Sequence, residues 1–162
     1  TLQSSRLVCF RDWKLWYMKL ASFEDETVVL HLCKKFFDES RYSSLPYSED
    51  SVRKMFYSIV GGSIRGVILL TTKDEKYTGI LVGVESKLPF SDVRVASELM
   101  MYIEDRKTRD FFHLLDAYEY WATHILHSDV IQLSTLSDNP TLEKYYLRRG
   151  YVKSEEAYTK GI

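Results

Sequence analysis

The stretch "SIRGVILLTTKDEKYTGILVGVES" (63–86) constrains the fold more than any other part of this chain. Two β-rich apolar runs flank the short polar turn "KDEK", and such a pairing reads as an antiparallel hairpin. A third run, "VRVASELMMYI" (93–103), follows the loop "LPFSD" and is expected to be another long strand. Its Ala, Glu, Leu and Met would also tolerate helix. Strands of this kind bury one face only against another layer, so helices must come from the flanks.

The flanks supply them. "MKLASF" (18–23) alternates like a short strand, and "EDETVVLHLCKKFFDES" (24–40) puts Val28, Val29, Leu32, Cys33, Phe36 and Phe37 at helical spacing behind an acidic start. After the turn-rich "RYSSLPYS", a second helix opens near Ser48–Ser51, presents Val52, Met55, Phe56 and Ile59 on one face, and stops at Gly61-Gly62. Over 109–126, Phe111, Leu114, Leu115, Tyr118, Trp121, Ala122 and Ile125 share a stripe that Asp116, Glu119 and Thr123 avoid. "DVIQLST" then reads as a strand, "LSDNP" as a cap and turn, and "TLEKYYLRRG" as a short helix ended by Gly150. "YVKSEEAYTKGI" is expected to be a final strand or strand pair. The order β-α-α-β-β-β-α-β-α-β implies a mixed α+β sheet with helices packed on its faces.

Length and charge narrow the function. At 162 residues the chain suits one domain with a full core, and its net charge of −1 advertises neither nucleic acid nor an anionic membrane. No apolar run approaches the roughly 18 residues of a membrane span. Cys9 and Cys33 sit in no metal-like or redox motif, which reads as two buried thiols in a reducing, cytoplasmic setting, although spacing alone leaves a disulfide open. The four histidines form no HxxxH or HExxH pattern, so no metal is expected, and no nucleophile elbow appears. Met18 begins a segment that reads like a natural domain start. Residues 1–17, with Phe10, Trp13, Trp16 and Tyr17, read as an extension: an edge strand, a docking arm or an added remnant. Residues 18–162 read as the domain proper.

Three motifs carry chemistry. In "DNPTLEKYYLRRGYV", Asn139 precedes a Tyr by seven positions, and Gly150 with Tyr151 follows four beyond that Tyr. "FFDESRYSSLPYS" closes the first helix. "EDRKTRD" (104–110) joins the third long strand to the clearest helix, at the kind of helix N-terminus where backbone N–H groups receive phosphate. In element order over roughly residues 18–157, and in these motifs, the chain resembles the GNAT acyltransferases, which move an acyl group from acyl-coenzyme A to an amine. The resemblance implies a twisted, mostly antiparallel sheet splayed between its fourth and fifth strands, with helices on both faces.

The resemblance also implies roles. Tyr146 would protonate the departing sulfur. Asn139 would cap the last helix and bind the pantetheine arm, and Leu99 to Met101 would offer backbone groups to it. Glu39, Arg41 and Tyr42 would face the amine acceptor. Arg106 matches the leading Arg of the pyrophosphate loop. Lys107 and Arg109, however, stand where glycines are expected, and Phe111 where Gly or Ala is expected. Bare backbone approaches a pyrophosphate most closely, so those side chains crowd the site, while three cations partly compensate. Glu98, mid-strand among apolar neighbours, is the candidate base that takes the amine proton; alternation along the strand equally allows a solvated carboxylate.

The leading expectation is therefore acetyl transfer from acetyl-CoA to a primary amine, small-molecule or protein. The rival is an inactive interaction or assembly module of the same fold, such as a phage-encoded particle component, docking through its aromatic arm. Nucleic-acid binding through Lys107, Arg109, Arg148 and Arg149 is disfavoured by the balanced charge.

Overall fold

The computed structural model describes residues 18–134, 140–155 and 157–161. Strands β1 (Met18–Leu20), β2 (Gly66–Lys73), β3 (Lys76–Lys87), β4 (Arg94–Ile103) and β5 (Val130–Gln132) lie in that order across one sheet. The first four pair antiparallel and β4 pairs with β5 parallel. The expected hairpin is β2–β3. Its turn places Asp74 and Glu75 at φ of 50° and 63°, the left-handed pair whose twist matches the flanking strands.

Helices α1 (Glu26–Glu39) and α2 (Glu49–Val60) cover one face. Val29, Leu32, Cys33, Phe56 and Ile59 pack there on Ile68, Leu70, Ile80, Val82, Met100 and Tyr102. Ser48 caps α2 by accepting the Ser51 N–H at 3.2 Å. The Cys33 thiol lies 3.5 Å from the Met100 sulfur and is free and buried, so no disulfide engages it.

Helix α3 (Asp110–Tyr120) covers the other face, with α4 (Pro140–Arg148) beside it. Leu114, Leu115, Tyr118, Trp121 and Tyr146 pack there on Val67, Leu69, Leu81 and Ala96. The approach is close because Gly83 carries no side chain: a Cβ on it would sit 2.6 Å from a Tyr118 ring carbon. The stripe expected over 109–126 is helical to its end, but the last turn, Trp121–Ile125, is π-helical. Leu126 N–H reaches back to the Trp121 carbonyl at 2.8 Å, and Ser128 gives both its N–H and its hydroxyl to the Ala122 carbonyl.

One expected element is absent. Among the described residues of 151–161 no strand forms, and β5 is the edge of the sheet. Gly150 turns the chain out of α4 at φ 89°, as its position after the helix implied, but the described backbone beyond it is irregular. Residues 1–17, and with them Cys9 and the aromatic arm, lie outside the described residues.

Candidate active site at the fork between β4 and β5

Strand β5 is short. Its register with β4 runs only through Val95↔Val130, Ala96↔Ile131 and Ser97↔Gln132. From Glu98 onward, no strand among the described residues lies along that edge of β4. At the same place β4 carries a bulge against β3: Val82 faces Met100 and Gly83 faces Glu98, leaving Leu99 extra. The bulge inverts the faces of the strand. Ala96 belongs to the core under α3, whereas Met100 and Tyr102 belong to the core under α1 and α2. Leu99 is consequently half exposed, and Met101 packs on the α3 side.

Glu98 is buried at the root of this fork, two residues from core-facing Ala96 and just before the bulge, so the strand turns it inward. Its Oε2 accepts the Ser134 N–H at 3.0 Å, bridging β4 to the segment leaving β5. Burial pushes its carboxyl up to about 7, against which the Ser134 bond pulls down. Tyr146 reaches the same region from α4. Its hydroxyl is buried and has no hydrogen-bond partner among the described residues. Burial raises its pKa, and the nearby Glu98 charge raises it further. Tyr118, from α3, gives its hydroxyl to the Gln132 carbonyl at 3.1 Å and also feels the Glu98 charge, after burial. The sequence motifs at Tyr146 and Glu98, 48 positions apart, thus converge at one end of β5.

Helix α4 is held over the fork by Arg149. Its guanidinium binds Asp116 at 2.9 Å, Glu119, and the Tyr145 hydroxyl at 2.8 Å, while the Tyr151 hydroxyl joins Glu119 at 2.8 Å. Two acids on α3 are therefore spanned by one cation at the end of α4, a charge-assisted link in partly buried surroundings.

The turn from β4 into α3 is differently furnished. Arg106, Lys107 and Arg109 are exposed. Lys107 N–H binds the Asp105 carboxylate at 2.9 Å, Thr108 N–H the Asp105 carbonyl at 3.1 Å, and Asp110 N–H the Thr108 hydroxyl at 3.4 Å. Asp110 itself is buried and accepts the Thr78 hydroxyl at 2.7 Å; Thr78 is the residue left over at a bulge between β2 and β3. Phe111 is half buried and packs edge-on to Phe112 and Tyr145, both at 5.4 Å, with Tyr146 at 6.3 Å. The fork holds a buried phenol with no partner among the described residues, the kind of group that a thioester sulfur would complete. The turn is poorly furnished for a diphosphate, because three of its backbone donors, those of Lys107, Thr108 and Asp110, are already bonded within it.

On the expected acceptor side, Glu39 lies at the end of α1 and accepts the Tyr102 hydroxyl at 3.1 Å, tying the helix to β4. Burial, then Glu39, pushes Tyr102 up to about 12. Arg41 and Tyr42 are exposed in the loop beyond, with Tyr42 N–H on the Ser40 hydroxyl. Asn139 lies outside the described residues. No cluster of three His, Cys, Asp or Glu suited to a metal occurs among the described residues, and no helix there is long and apolar enough to cross a membrane.

The architecture recurs in solved structures. A GNAT family acetyltransferase of Staphylococcus aureus is 22% identical over 90% of this chain and 97% of its own, with a TM-score of 0.63. The aminoglycoside 6'-N-acetyltransferase AAC(6')-Ig of Acinetobacter haemolyticus superposes with a TM-score of 0.66 at 17% identity, covering 90% and 98%. This chain has the GNAT fold. AAC(6')-Iy, solved with the bisubstrate analogue CoA-S-monomethyl-acetylneamine, shares the GNAT fold at a TM-score of 0.69, 12% identity and coverage of 90% and 96%. No protein-family model and no curated protein matches the sequence.

Three residues of the site, Ser134, Arg149 and Asp105, were not marked by sequence. Ser134 acts through its backbone, so its identity carries no signal. Arg149 was visible only as part of a basic pair. Asp105 did carry a signal, since an Asp two positions before a loop residue commonly folds its carboxylate onto that residue's N–H.

Proposed function

We propose that this chain is an N-acetyltransferase that moves an acetyl group from a pantetheine thioester such as acetyl-CoA to a primary amine. The observation that carries this reading is the pairing at the fork of a buried, unpartnered Tyr146 hydroxyl with a buried Glu98 carboxyl near neutral pKa. A phenol left without a partner costs stability, which favours a role in which a ligand completes it. The thioester supplies an activated acyl carbon and a leaving sulfur. Glu98 accepts a proton from the amine as its nitrogen bonds to that carbon, and Tyr146 gives its proton to the sulfur as the C–S bond breaks. Leu99 and Met101 border the open edge of β4 where the acyl group would lie, and Glu39, Arg41 and Tyr42 would meet the acceptor. The solved relatives named as aminoglycoside acetyltransferases make a small polyamine the first acceptor class to test.

The test is thiol release from acetyl-CoA across a panel of primary amines. Turnover with one acceptor class is expected, falling about 100-fold or more in Tyr146→Phe. The absence of both thiol release and a melting-temperature rise at millimolar acetyl-CoA would overturn the reading. It would favour the second reading, an interaction module of GNAT fold. The self-satisfied turn at 105–110 and the aromatic packing of Phe111 support that alternative.

A further inference from the structure

The donor site is furnished at one end and closed at the other, and the two ends make different demands on a ligand. Strand β4 runs from Glu98 at the fork to Ile103, about 17 Å at the usual rise per strand residue, before the chain turns into α3. A thioester carrier lying along this edge, with its sulfur near Tyr146, brings its far end to residues 104–110. An anion would be held there by converging backbone N–H groups and the helix N-terminus.

Here three of those groups are engaged within the turn. The N–H groups of Lys107, Thr108 and Asp110 are bound to Asp105 and Thr108 within the turn. The Asp105 carboxylate sits on the Lys107 N–H, and the buried Asp110 carboxylate, which accepts the Thr78 hydroxyl, adds a second negative charge at the start of α3. The exposed cations do not redress this. In Glu104–Asp110 three carboxylates match three cations, so the segment presents no net field to a polyanion. Each exposed pair with a phosphate is weak in physiological salt. Phe111, half buried at the start of α3, makes ring contacts to Phe112 and Tyr145.

We infer that the chain recognises its donor by the acyl-pantetheine arm alone, so that the nucleotide half of coenzyme A contributes little to binding. This rests on the transferase reading and narrows its donor class to pantetheine thioesters regardless of what is attached beyond the arm. It makes Asp105 a specificity-determining residue, since its carboxylate and carbonyl take two of the three turn N–H groups.

Titration calorimetry at about 0.15 M salt separates the cases. Three probes are used on the full chain: acetyl-CoA, acetyl-phosphopantetheine, and adenosine 3',5'-diphosphate. The expected result is that the first two bind with affinities less than tenfold apart, and that the diphosphate neither binds nor competes. Asp105→Ala, a change at an exposed turn position, is expected to release the Lys107 N–H and to raise the preference for acetyl-CoA several-fold. A preference for acetyl-CoA of tenfold or more in the unaltered chain overturns the inference and leaves the transferase reading intact. Binding of neither thioester overturns both.

Discussion

Glu98 is the residue on which most depends, and its burial has consequences for pH. Its carboxyl titrates near 7 in the folded chain, above the ordinary 4.5, because the fork withholds water from the charge. Folding therefore favours the protonated form. The stabilisation associated with that proton is complete below about 4.5 and is lost as pH rises through about 7. Glu98→Gln keeps an acceptor for Ser134 N–H without the charge. Its melting temperature is expected to stay flatter between pH 4.5 and 7 than that of the unaltered chain, and to exceed it at pH 8. If Glu98 is the base, transfer rates should rise with pH through about 7 and Glu98→Gln should lose that rise. Tyr146 makes the complementary case. Because its hydroxyl has no partner among the described residues, Tyr146→Phe should unfold at the same or slightly higher denaturant concentration while losing transfer; Tyr146→Ala should cost about 3–5 kcal/mol. The sequence marked both residues, Tyr146 by its spacing to Gly150 and Glu98 by a charge among apolar neighbours. It left open which way Glu98 points, and the bulge at Leu99 that changes the faces of β4 beyond it has no glycine or proline on β4 itself, only Gly83 on the partner strand.

Elements were legible where periodicity is long. The β2–β3 hairpin, α1, α2 and α3 follow from apolar spacing, and the stops at Gly61-Gly62 and Gly150 follow from backbone freedom. Short-range patterns failed where tertiary contacts decide. "YVKSEEAYTKGI" has strand-like alternation yet forms no strand among its described residues, and "DVIQLST" yields only Val130–Gln132. The π-helical end of α3 rests on three bonds from Leu126 and Ser128 that no propensity encodes. Two predictions belong here. Gly83→Ala would press a methyl group into the Tyr118 ring that lies over β3, and should destabilise the fold by about 1–3 kcal/mol in denaturant titration. Arg149→Met should release α4 from Asp116 and Glu119, with a modest loss of about 1 kcal/mol because the groups are only partly buried. Amide exchange should then quicken in α4 and remain unchanged in the core of α3.

At the scale of the molecule, the sheet order and the parallel β4–β5 pair create a fork, and the helices on both faces make its walls. That much is common to the GNAT fold, and the fold alone does not assign chemistry. What distinguishes the proposed donor site is the contrast between an unpartnered Tyr146 hydroxyl beside buried Glu98 at one end and a turn whose Lys107, Thr108 and Asp110 N–H groups are bonded within it at the other. A backbone amide map of the chain, titrated with acetyl-phosphopantetheine, tests the fork most directly. The account requires concentration-dependent shifts centred on Leu99, Met101 and Ser134, with little change over 105–110. Shifts confined to other surfaces, or none at millimolar ligand, would contradict it.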